Sequence, residues 1–148
     1  MTTIAYRDGV MAADSGGWIG DTVHPWTQKL AKGKDGSLWG ASGTAAEIFA
    51  FLDAVVESGD PRDWPRPNRG ADGGASFIAL RAARDGTLSL WGPDWVERFP
   101  GARYFAIGSG RDVAFGALWA GASYEDAIKA AATHSTGAIL PVRTIRYG

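Results

Sequence analysis

Short strand-like apolar runs, each pair broken by an Asp-Gly step, recur between the N-terminus and Trp91. Thr3-Ile4-Ala5-Tyr6 and Val10-Met11-Ala12-Ala13 flank Asp8-Gly9. That dipeptide accepts the positive φ of a two-residue hairpin turn. The arrangement recurs twice. Thr27–Ala31 and Ser37–Ala41 flank Lys34-Asp35-Gly36, and Ala75–Ala82 and Thr87–Trp91 flank Arg84-Asp85-Gly86. Three such hairpins predict antiparallel sheets.

The period changes after Ser42-Gly43-Thr44. Thr44 reads as a helix cap, with Glu47 three residues on completing a capping box. Ile48, Phe49, Leu52, Val55 and Val56 then form one apolar stripe at helical spacing. Gly59-Asp60-Pro61 closes it. Residues 60–74, rich in proline, glycine and charge, read as a long exposed loop. Tyr104–Ile107 is a buried strand entering Gly108-Ser109-Gly110. A helix with Val113, Phe115, Ala117, Leu118 and Trp119 follows, ended by Gly121. Ser123, with Asp126 at capping-box spacing, starts another through Ala127–Ala132, and Val142, Thr144, Ile145 and Tyr147 make a last strand. Elements segregated in this order imply an α+β sandwich: two antiparallel sheets with helices outside.

Composition narrows the function. The 148 residues suit a single domain spanning 1–148, and 45% apolar residues suffice for a core. A net charge of −1 gives no footprint for nucleic acid or membrane surface. No apolar run approaches ~20 residues, and the first residues do not resemble a secretory signal, so a cytoplasmic location is expected. With no cysteine, thiolate chemistry is excluded, and two histidines (His24, His134) make a poor basis for a metal centre; no cofactor is called for. Seven tryptophans suggest thick layers or surfaces that pack on neighbours.

The candidate chemistry lies at Met1-Thr2-Thr3-Ile4. If Met1 is removed, Thr2 carries a hydroxyl nucleophile and a free α-amine, whose ordinary pKa of about 7.7–8.0 lets it act as the base. Taken singly, the other candidates have ordinary readings. Asp14 caps a turn, Lys29 is a solvated lysine, Ser42-Gly43 is helix-entry chemistry, and Gly108-Ser109-Gly110 is a tight turn. Other motifs fail. Gly40-Ala41-Ser42-Gly43 lacks the last glycine of a nucleophile elbow, which argues against a serine hydrolase using Ser42 or Ser109 with a histidine. Gly33-Lys34 is followed by Asp35, so there is no phosphate loop.

Taken together, M-T-T-I (1–4), A-A-D-S (12–15), Q-K-L (28–30), G-A-S-G-T-A-A-E (40–47) and A-I-G-S-G (106–110) resemble the proteasome β-subunit family. The likeness is closest to the HslV-type peptidases within the N-terminal-nucleophile hydrolases. It implies an αββα sandwich with Thr2 as nucleophile, Asp14 holding the active-site Lys29, Ser109 hydrogen-bonding near the α-amine, and Gly43 at the oxyanion hole. Gly43 also has a reading of its own, since free N–H groups at a helix start favour developing negative charge. Pocket residues are expected from the Trp18–Trp26 and Gly40–Thr44 loops. The resemblance further implies a peptide or protein substrate, a homo-oligomer of open ring size and an ATP-dependent unfoldase as partner.

Two departures accompany it. Thr133 stands where the family carries an aspartate, with His134 or Ser135 as compensating candidates. Residues 60–74 replace a second long helix. The chain's brevity resembles small proteasome-like proteins of phage or prophage. The competing expectation is therefore a catalytically silent structural or assembly protein, such as a virion component.

Overall fold

A computed structural model describes residues 1–60 and 77–148. Eleven strands and three helices lie within them: β1 (Thr3–Arg7), β2 (Val10–Ala13), β3 (Gly17–Ile19), β4 (Thr22–His24), β5 (Leu30–Lys32), β6 (Leu38–Gly43), α1 (Ala45–Glu57), β7 (Phe77–Ala82), β8 (Leu88–Trp91), β9 (Val96–Phe99), β10 (Tyr104–Gly108), α2 (Arg111–Trp119), α3 (Tyr124–His134) and β11 (Arg143–Arg146). A four-stranded sheet has the order β10-β1-β2-β11 and a five-stranded sheet β5-β6-β7-β8-β9, with β3-β4 as a separate hairpin. All pairings are antiparallel.

Strand alternation builds the layers. On one face of the four-stranded sheet, Ile4, Tyr6, Met11 and Ile107 meet Leu38, Leu80 and Leu88 of the other sheet. On the opposite face, register places Ala106, Ala5 and Ala12 abreast. These short side chains leave a shallow strip on which Leu118 of α2 and Ile128 of α3 settle. The outer face of the five-stranded sheet is aromatic instead. Trp39 stands edge-on to Phe51 of α1 and to Trp91, at 5.4 and 5.3 Å between ring centres. The result is the expected α+β sandwich, in the layer order α1, five-stranded sheet, four-stranded sheet, α2 with α3.

The first hairpin turns on Asp8 and Gly9 with φ of 52° and 79°, both left-handed as its sequence requires. The second and third turns fall at their Asp-Gly steps. Other expectations need correction. Strand β5 starts at Leu30 rather than Thr27, and β6 runs on to Gly43. Thr44 occupies the cap position of α1, but its side chain makes no cap bond; Glu47 N–H donates to the Thr44 carbonyl at 3.1 Å. Phe49 and Val56 face outward, while Phe51 and Ala54 join Ile48, Leu52 and Val55 inside. Residues adjacent in sequence diverge by about 100° around a helix, and the aromatic floor of Trp39 and Phe77 selects the side bearing Phe51. In α2 the buried residues are Ala114 and Leu118, and Trp119 is 79% exposed. The β3-β4 hairpin and β9 were not signalled, because three or four mostly exposed residues leave no alternation to read. Ala75, Ser76 and, beyond Asp60, the loop expected at 60–74 lie outside the described residues.

Candidate active site

Sheet register brings the candidate residues together. Thr3 pairs with Gly108, so Thr2 comes level with Ser109. Ile4 pairs with Ala13, so Thr3 comes level with Asp14. The Thr2 N–H donates to Ser109 Oγ at 3.2 Å, and Gly110 N–H donates to the Thr2 carbonyl at 3.3 Å. Gly108 has φ of 98°, and a Cβ there would stand 2.1 Å from the Thr2 carbonyl oxygen. Glycine is therefore required both by the turn and by this close approach.

Asp14, 1% exposed, is the polar hub. Its Oδ1 accepts from Lys29 Nζ at 2.9 Å and from Thr3 N–H at 3.0 Å; its Oδ2 accepts from Gly16 N–H and Ile139 N–H, each at 3.0 Å. A buried carboxylate holds its charge only with such company. Lys29 enters from the second sheet, just ahead of β5, where its carbonyl accepts from Ala41 N–H. The lysine is 2% exposed, and burial pushes its pKa down while the Asp14 charge and hydrogen bond oppose that shift. Its ammonium also donates to the Met1 carbonyl at 3.0 Å, which places it within one residue of Thr2.

Thr2, Lys29 and Gly43 line one cleft of about 540 Å³, walled by Trp18 and Trp26 of the β3-β4 region and Phe49 of α1. His24 lies in the same wall, stacked against Trp26. The β3-β4 hairpin and the residues just after it thus line this cleft, where pocket residues were expected from the Trp18–Trp26 loop. Gly43 ends β6 with φ of 151°, and Ala45 and Ile48 beside it open the N-terminal end of α1 onto the cleft. The structure therefore joins Thr2, Asp14, Lys29 and Ser109 by hydrogen bonds directly or through Thr3 and Met1, with Gly43 in the same cleft.

Thr133 is not among them. It is exposed, and its hydroxyl bonds back to the Lys129 carbonyl one turn earlier. His134 is exposed. Ser135 bonds the Ala131 carbonyl and accepts from Gly137 N–H. The sequence reading missed Thr3, a fully buried residue whose Oγ1 donates to the Gly137 carbonyl at 2.7 Å, tying β1 to the segment after α3. Its signal was the doublet Thr2-Thr3 itself. Ser109 is engaged with Thr2, not with a histidine. Among the described residues no group of three or more His, Asp or Glu side chains is placed to hold a metal ion, and no helix is long and apolar enough to cross a membrane.

No protein-family model matches the chain, and no curated protein sequence matches it. Solved structures do. BPH from Thiobacillus denitrificans, in complex with epoxomicin and in a second structure, is 18% identical over 99% of this chain and 98% of its own, with TM-scores of 0.68 and 0.67. HslV from Trypanosoma brucei is 15% identical over 98% of this chain and 99% of its own, with a TM-score of 0.67. The fold is that of HslV and proteasome-type N-terminal-nucleophile hydrolases.

Proposed function

We propose that this chain is a threonine-type amide or peptide hydrolase that acts once Met1 has been removed. The observation that carries this reading is the Thr2 nitrogen on Ser109 Oγ beside a buried Lys29–Asp14 pair, with Thr2 and Lys29 lining one cleft. Removal of Met1 takes away the carbonyl that Lys29 holds and leaves an amine where the peptide nitrogen was. The Lys29 charge then favours the neutral amine. That amine takes the Thr2 hydroxyl proton as Oγ bonds to the substrate carbonyl carbon. The oxyanion forms toward Gly43 and the first N–H groups of α1. Collapse breaks the C–N bond, the departing nitrogen takes the proton from the Thr2 ammonium, and water hydrolyses the resulting ester. Asp14 positions Lys29, and Ser109 positions the amine.

The reading covers residues 1–148 as one domain, with self-association of copies and a peptide or unfolded protein as substrate. Intact mass tests it. Epoxomicin, held by the BPH structure, is expected to add its mass to Met1-free protein and not to Thr2→Ala. No adduct on Met1-free protein, together with unchanged hydrolysis in Thr2→Ala, would reject the reading and leave the silent structural module.

A further inference from the structure

A second cleft, of about 820 Å³, opens between the two sheets on the other side of Gly43. Gly43 and Ser109 both line it, and its walls include Ile78, Leu90, Trp95, Phe105 and Phe115, with Arg111 at the rim. Ile78 and Trp95 are 38% and 46% exposed, so apolar surface is open to an occupant rather than sealed in the core. The two clefts thus meet at one glycine, one holding Lys29 and the other holding Ser109.

Proton return decides which half of a substrate enters which cleft. The nitrogen that leaves must collect its proton from the Thr2 amine, and so must depart on the side where that amine sits. The Thr2 nitrogen lies 3.2 Å from Ser109 Oγ. With the reacting carbonyl at Gly43, the amine half therefore points along Ser109 into the second cleft. The acyl half is left to the Trp18–Trp26 cleft. We infer that the second cleft receives the leaving amine and selects a bulky apolar residue immediately after the scissile bond. This rests on the threonine-hydrolase reading above. Burial of the leaving half's apolar side chain in this cleft is the source of the selection.

The experiment uses Met1-free full-length protein and quenched peptides that share one acyl half and differ only in the next residue: Phe, Leu, Gly or Asp. Phe and Leu are expected to exceed Gly and Asp in kcat/KM by about tenfold or more. Ile78→Glu and Trp95→Ala, each checked for an unchanged melting temperature, are expected to collapse that ratio. Covalent labelling of Thr2 by epoxomicin is read in parallel, because it involves no leaving amine. Labelling with a flat kcat/KM series overturns the inference and leaves the hydrolase reading intact. So does a preference that survives in whichever variant keeps its fold. Absence of both labelling and cleavage overturns the hydrolase reading, and this inference falls with it.

Discussion

Two buried regions of this molecule are built on opposite principles. The outer layer of the five-stranded sheet is apolar: Trp39, Phe51, Phe77 and Trp91 interlock with α1, and the Trp39 indole N–H is satisfied by Ser37 Oγ at 2.8 Å. The seam where β1, β2, β5 and β10 end is polar: Thr2, Thr3, Asp14 and Lys29 are each no more than 5% exposed. A buried ion pair is poor value for stability alone, because desolvation cancels much of the attraction and well-packed apolar groups do as well or better. The aromatic layer shows that this chain can build the cheaper kind of core. A charged seam that opens into a cleft is therefore better explained by chemistry than by stability.

The strongest way to break that contrast is Asp14→Ala. It strands the Lys29 ammonium and three backbone N–H groups in one stroke. Losing one partner of a buried pair costs about 3–5 kcal/mol, so urea denaturation is expected to show a loss of that size. Hydrolysis per folded molecule is expected to fall with it, because Lys29 loses its fixed position. A variant that kept wild-type stability and rate would mean the seam is incidental. Trp39→Phe probes the other region and is smaller in effect. It opens space in the aromatic layer and removes one hydrogen bond, for an expected loss of about 1–3 kcal/mol. Activity per folded molecule is expected to stay at the wild-type level, since the residue lies outside the Thr2 cleft. If Trp39→Phe instead altered the rate, the two regions would be coupled and the contrast would need redrawing.

The same division marks what could be read from the sequence. Asp-Gly turns carry their own backbone requirement, so the Asp8-Gly9 hairpin was legible residue by residue. Helix α1 was legible as a helix but not in rotation. Phe49, Phe51 and Val56 are all apolar, and only the sheet beneath decides which of them turn inward. Strands β3 and β4 left no pattern because their burial comes from one end only. In the site, Thr2, Asp14, Lys29, Gly43 and Ser109 could be named from short matches spread along the chain. The partners of Asp14 could not, because Gly16 and Ile139 contribute only backbone N–H groups, which any residue carries. Thr3 was hidden by its neighbour: a threonine next to a proposed nucleophile looks like strand filler until its hydroxyl is seen on Gly137.

The finest test of the contrast is the pH profile, because the proposed base and the cation beside it both lie in the polar seam. The Thr2 amine must be neutral to accept a proton, so the rate is expected to fall on acidification through its pKa. Lys29 must be charged to hold that pKa beneath the ordinary value of about 7.7–8.0. Asp14 holds the Lys29 ammonium at 2.9 Å and opposes the downward push of burial. The acid limb of kcat/KM is then set in the seam. Lys29→Met removes the cation without adding another charge. Its acid limb is expected to move up toward the ordinary amine value, by on the order of one pH unit. Trp39→Phe is expected to leave the acid limb in place. A Lys29→Met acid limb that stayed at its wild-type position would show that some other group tunes the amine, and the buried pair would lose its chemical explanation.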